Sequence, residues 1–484
     1  MNDQKKYPEK DAFAQKLHSM FDKIEAEYRP GVRWWLAEGL NTDKTLEKNV
    51  KEIHDSGFGA VEFLAMPEPG IDSSVYGWGS KEWTNDTMHI IRNAAKLGLG
   101  FSVTCGTNWA NANLPDTWSY DGEPYNPDNK AASQVLDYAT ICLAPGERFS
   151  GELPKVRATV GSEEGSTSDM HSSDGNFTRQ IFEGVVSARV IRGRKGAGEN
   201  YAEGLGTGIL DFSSLTDISE WVKEEKGTYT LDWTAPDDGQ YALFVYWMHG
   251  SCQTADPSVS TNYTVNYVDP YGMDALIEYW EKVILTDEMR ETIRENARGE
   301  IYMDSLELRT EGAGGILWGY TFKEEFRKRK GYDITPYLPL ITEAVSATRT
   351  TENPIEYDYT AEGEENLRNV EKIRNDFYDV SSRLYVENVL KPLKEWLHGL
   401  GMQLRAEPSY GMYYEISTPG KYLDDVETES FAQNGDVDLF RGLLGSANMY
   451  GVPLSSETGA IWENEKPSNY TRPMDDWTDR KSVV

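Results

Sequence analysis

The 484-residue sequence predicts an α/β chain built as a (β/α)8-type barrel that carries an antiparallel β insertion after its third strand and stops short of the last one. Three observations predict this: strand and helix patterns that alternate at both ends of the chain, a central stretch whose period changes to two, and acidic residues recurring where strands end. About seven strand patterns separated mostly by helical ones favour a barrel over a doubly wound sheet, whose Gly-rich phosphate turn is missing.

After a polar leader, residues 1–29, the run Val32-Arg-Trp-Trp-Leu36 reads as a strand. Asn41 or Thr42 can cap a helix whose apolar face is Leu46, Val50 and Ile53, closing at Gly57. The unit repeats. Ala60–Met66 is a strand, Ser80 caps a helix with Trp83, Thr87, Ile91 and Ala94 on one face, and Leu99–Thr104 is the third strand. Residues 30–139 thus form the first half of the barrel.

From 140 to 268 short alternating runs with glycine breaks take over, such as Val186–Ile191, Gly227–Trp233 and Gln240–Trp247, and mark a β-rich insertion. The helical period returns at Met273, Leu276, Trp280 and Ile284 and leads into the strand Glu300-Ile-Tyr-Met-Asp-Ser-Leu-Glu307. A helix with Phe322 and Phe326 follows, then a polar loop near 349–365, then a long helix marked by Val370, Ile373, Phe377, Val380 and Leu384. Met402–Glu407, Leu423–Glu429 and Val452–Glu457 are the remaining strands, so 269–460 form the second half. Residues 461–484 are polar and read as a truncated or artefactual tail.

The composition excludes some classes of function. A net charge of −32 disfavours nucleic acid and anionic membranes, which need a basic surface. No apolar run reaches membrane-span length and the N-terminus lacks the core of a signal peptide, so a cytoplasmic location is expected. Cys105, Cys142 and Cys252 show no metal spacing, and their odd number suits a reducing compartment. The 14 Trp, 28 Tyr and 15 Phe include flat faces of the kind that sugars stack on, although most such rings serve as core.

In a β/α barrel the site lies at the C-terminal ends of the strands, which singles out Asp304, Glu307, Glu407, Glu429 and Glu457. Any one of them could equally be a salt-bridge partner; their recurrence is the signal. Acetal hydrolysis needs two carboxyl groups with separated pKa values, and no zinc helix, nucleophile elbow or phosphate loop competes with that reading. Of the six histidines only His249, beside Gly250, is kept as a site candidate.

These strings resemble glycoside hydrolase family 106, the α-L-rhamnosidases. The likeness is carried by Gly31-Val-Arg-Trp-Trp-Leu36, Gly57-Phe-Gly-Ala-Val-Glu-Phe63, Gly79-Ser-Lys-Glu-Trp83 and Ala95-Lys-Leu-Gly-Leu99. More specific are Asp304-Ser-Leu-Glu307, Trp318, Thr321, Phe326-Arg-Lys-Arg-Lys-Gly-Tyr-Asp333 and Pro336-Tyr-Leu-Pro339, then Leu404-Arg-Ala-Glu407, Glu429-Ser-Phe431, Tyr450-Gly-Val-Pro453 and Glu457. The resemblance implies an exo-acting, inverting hydrolase that releases L-rhamnose from plant polysaccharides or glycosides. It implies Glu307 and Glu429 as the catalytic pair, and calcium held by Glu407 and Glu457. Asp304, Asn108, Trp109, Glu407 and Trp318 would bind the carbohydrate. One loop departs from the family pattern: Gly106-Thr-Asn-Trp-Ala-Asn-Ala-Asn113 replaces a segment rich in Gly, Pro and Trp, which points to a differently built sugar subsite. The residues alone leave open a retaining glycosidase of another barrel family and a non-catalytic carbohydrate-binding relic.

Overall fold

The structure, a computed structural model, describes residues 12–16, 18–19, 24–37, 39–107, 112–156, 172–173, 176–194, 206–295, 298–306, 308, 316–341, 357–408, 412, 414–429 and 437–457. Seven strands form one parallel sheet in the order Gly31–Ala37, Ala60–Met66, Gly100–Thr104, Gly299–Met303, Gln403–Ala406, Asp425–Glu429 and Leu454–Glu457. The helices expected before the second and third strands are there. Thr42 caps Asp43–Asp55 with a reciprocal side-chain pair to Thr45, and Ser80 caps Lys81–Leu97, which Gly98 ends in the left-handed region. Their apolar faces, with Leu46, Val50, Ile90 and Ile91, pack on Val61, Phe63, Phe101 and Val103 of the sheet.

The eight-stranded barrel is not what forms. The parallel sheet is open: among the described residues nothing pairs Leu454–Glu457 with Gly31–Ala37, and the helices do not alternate regularly with the strands. Only a 3-10 turn, Thr418–Tyr422, lies in the described connection from Gln403–Ala406 to Asp425–Glu429. Periodicity reports whether a segment is a strand or a helix, a local property, whereas closure depends on strand tilt and stagger across the whole sheet.

A second sheet of similar size runs in the order Ile316–Trp318, Gln134–Leu143, Tyr241–Gly250, Ile181–Arg194, Gly206–Leu210 and Tyr357–Thr360, with Thr216–Asp217 also paired to Ile181–Arg194. Its pairs are antiparallel except the last, Gly206–Leu210 with Tyr357–Thr360. Tyr357–Thr360 falls in the segment expected to be a polar loop. A third, three-stranded antiparallel sheet, Val222–Glu225, Thr228–Thr234 and Arg148–Glu152, belongs with a separate core of Leu143, Leu153, Val185, Leu231, Trp233, Leu243 and Trp247. Trp318, expected at the carbohydrate, is wholly buried, its ring centroid 4.3 Å from that of Phe322 and 6.4 Å from that of Phe377. Hydrophobic burial holds it in the core, so neither ring face is open to a sugar.

Candidate active site

Successive side chains of a strand point to opposite faces, and in the parallel sheet that period sorts apolar from charged. Val61, Phe63, Val103, Ile301, Met303, Leu404 and Val426 belong to the large core. Their neighbours in sequence meet one another instead: Glu62, Ser102, Glu300, Tyr302, Arg405 and Glu427, together with Arg33 and Glu457 of the two outer strands, are joined by hydrogen bonds or ring contacts. Strands of a parallel sheet covered on both faces ordinarily run apolar throughout, so this polar face is the departure that marks a site.

Two arginines organise it. Arg33 Nε donates to Glu62 at 2.5 Å, its Nη1 donates to Glu457, and its Nη2 lies 3.3 Å from Glu427. Arg405 donates to Glu62, to Glu427 and, at 2.8 Å, to Glu300. Glu62 and Glu427 therefore each bridge both guanidiniums in a closed ring. The Tyr302 ring lies 4.5 Å from the Arg33 guanidinium carbon and 4.4 Å from that of Arg405, within cation–π range. Burial pushes the Glu62 carboxyl up, but the guanidiniums of Arg405 and Arg33 outweigh it and hold it below its ordinary value.

Beyond the ring the acids face fewer cations. Burial pushes Asp304 to about 7, with Glu457 and Glu429 adding to the rise against Arg33 and the Ser305 N–H. Burial likewise lifts Glu457 to about 7, opposed by Arg33 and reinforced by Glu427 and Glu429. Asp425 is raised to about 7 by burial, although the Ser455 hydroxyl donates to it at 2.9 Å. Carboxyl groups outnumber the two guanidiniums, so some remain protonated near neutral pH or a further cation neutralises them. Glu407, Glu427 and Glu457 each offer an oxygen within 4.8 Å of the others.

Of the residues singled out from the sequence, Asp304, Glu407, Glu429 and Glu457 come to this one end of the parallel sheet, at or just past the ends of four consecutive strands. Glu429 pairs in register with Glu457 and is 7% exposed. The strand expected to run to Glu307 ends at Met303, and Glu307, Asn108 and Trp109 lie outside the described residues. His249 is elsewhere, buried on the second sheet under the Phe177 ring at 4.0 Å, with Nε2 3.6 Å from Asp137.

Sequence reasoning missed Glu62, Glu427, Tyr302, Arg33 and Arg405. For Glu62, Tyr302 and Arg405 the sequence carries a partial signal, a polar or hydroxyl-bearing residue between two apolar ones in a strand, as in Leu404-Arg-Ala406, but it does not say which distant residue each one meets.

Comparison with known proteins bears on this sheet. Residues 207–407 match the sequence profile of glycoside hydrolase family 106, alpha-L-rhamnosidase. The resemblance read from the sequence therefore holds over that stretch, which includes Asp304 and Glu407. A rhamnosidase from Novosphingobium sp. PP1Y has a similar fold, with a TM-score of 0.60 at 15% identity over 91% of this chain and 53% of that one. The chain thus spans about half the length of that enzyme. No curated protein matches the chain. Among the described residues no helix is long and apolar enough to cross a membrane.

Proposed function

We propose that a chain carrying the family 106 sequence over residues 207–407 is the catalytic portion of an exo-acting glycosidase. It releases L-rhamnose from plant polysaccharides or glycosides with inversion at the anomeric carbon. The observation that supports this most is the gathering of Asp304, Glu407, Glu429 and Glu457 at the ends of adjacent parallel strands.

Inverting hydrolysis needs one carboxylic acid to protonate the glycosidic oxygen and one carboxylate to take a proton from water on the opposite face. Glu429 and Glu307 are the pair in this reading. Asp304, just past the end of Gly299–Met303, holds a sugar hydroxyl. Trp109 and Asn108 complete the carbohydrate contacts. The reading extends to calcium, because a set of carboxylate oxygens is the donor chemistry that a hard cation takes and their spacing suits oxygens around one ion. Glu407 and Glu457, with Glu427, would hold it. When bound, calcium supplies positive charge that offsets the surplus carboxylates and a point of attachment for sugar hydroxyls.

Glu429→Gln and Glu307→Gln test the pair. Release of L-rhamnose from an aryl α-L-rhamnoside should fall by about 10²–10⁴-fold in each, with an unchanged circular dichroism spectrum. Full activity in either variant removes that residue from the pair.

A further inference from the structure

Arg33 touches two of the three carboxylates that would hold the cation. Its Nη1 donates to Glu457 and its Nη2 approaches Glu427 at 3.3 Å, while Nε holds Glu62 at 2.5 Å. Glu62 lies outside the trio and also accepts from Arg405. The guanidinium therefore has an anchor independent of the ligand oxygens, and it can release Glu457 without leaving the sheet. A second feature points at the same spot. The Tyr302 hydroxyl is buried and has no hydrogen-bond partner among the described residues, and after burial itself Glu407 and Asp304 act on it most strongly.

We propose that Arg33 is a tethered internal counter-ion that exchanges with the bound cation. With the metal absent, its guanidinium neutralises Glu457 and Glu427. When the metal binds, Nη1 gives up Glu457 while Nε keeps Glu62. The inference rests on the calcium reading above. Exchange follows from the shared carboxylates: a cation held at about 2.3–2.6 Å by oxygens of Glu457 and Glu427 sits beside the guanidinium that both carboxylates already contact, and the two like charges repel. The device keeps a carboxylate-rich pocket folded before metal arrives, and it sets the metal affinity below what the carboxylates alone would give.

Isothermal titration of the chelator-treated protein with calcium chloride tests this. Wild type should bind calcium, Arg33→Gln should bind it about tenfold more tightly, and calcium should raise the melting temperature more in the variant than in wild type. Arg33→Lys, which keeps a charge but cannot fork to Glu62 and Glu457 together, should tighten binding less. If Arg33→Gln melts below the assay temperature, Arg33→Lys carries the comparison. Unchanged or weaker calcium binding in the variants, with wild type binding normally, overturns the exchange and leaves the calcium reading standing. No calcium binding by wild type or variants removes both.

Discussion

At the scale of single residues the site is a problem of compensating buried charge. Arg405, itself buried, serves Glu62, Glu300 and Glu427 at once. Truncating one partner of such a network leaves carboxylates stranded, at about 3–5 kcal/mol for a buried pair. Arg405→Met should lower the free energy of urea unfolding by that amount, and a loss under about 1 kcal/mol would show that the ring contributes little to stability. The strand-end acids Asp304, Glu407, Glu429 and Glu457 were legible in the sequence because strand ends are where carboxylates of a parallel sheet become useful. Arg33, Glu62 and Arg405 were not, because a lone charge in an apolar run does not announce which distant strand supplies its partner. Glu62 and Arg405 are 343 positions apart.

At the scale of elements, helix starts were the most readable feature. Thr42 and Ser80 cap as their sequences imply, since capping is decided within one turn. Strand Tyr357–Thr360 read as loop because its polar flanks mask it, and it becomes a strand only by pairing with Gly206–Leu210. Trp318 shows the same override by tertiary packing. Trp318→Ala should destabilise the fold by about 3–5 kcal/mol, read by denaturant unfolding. A variant of wild-type stability that is impaired only in substrate KM would restore Trp318 to the carbohydrate. Helix Lys81–Leu97 offers a pH test. Burial, then Asp43 and Glu82, raise the Asp86 carboxyl to about 6. The folded chain therefore holds this proton more tightly than the unfolded one, whose aspartates titrate near 3.9, so stability falls as pH climbs from about 4 to about 6 and stays reduced above. Asp86→Asn should raise the melting temperature relative to wild type at about pH 8 and leave it unchanged below about pH 4. Equal melting temperatures at both pH values would contradict the raised carboxyl.

At the scale of the whole molecule, local patterns gave parallel strands in the right segments but not how they assemble. Among the described residues seven of them make a parallel sheet that does not close, and the second sheet takes Ile316–Trp318 and Tyr357–Thr360 from segments far from its other strands. What survives this change of architecture is the placement of the acids, because the C-terminal ends of neighbouring parallel strands lie side by side whether or not the sheet closes. The central claim, hydrolysis of an α-L-rhamnoside with inversion by carboxyl groups at those ends, is tested most directly by following an aryl α-L-rhamnoside with the protein by proton NMR. The account predicts that β-L-rhamnose appears first and equilibrates later to the α anomer, and that Glu429→Gln yields neither. Initial release of the α anomer, or undiminished release by Glu429→Gln, would contradict it.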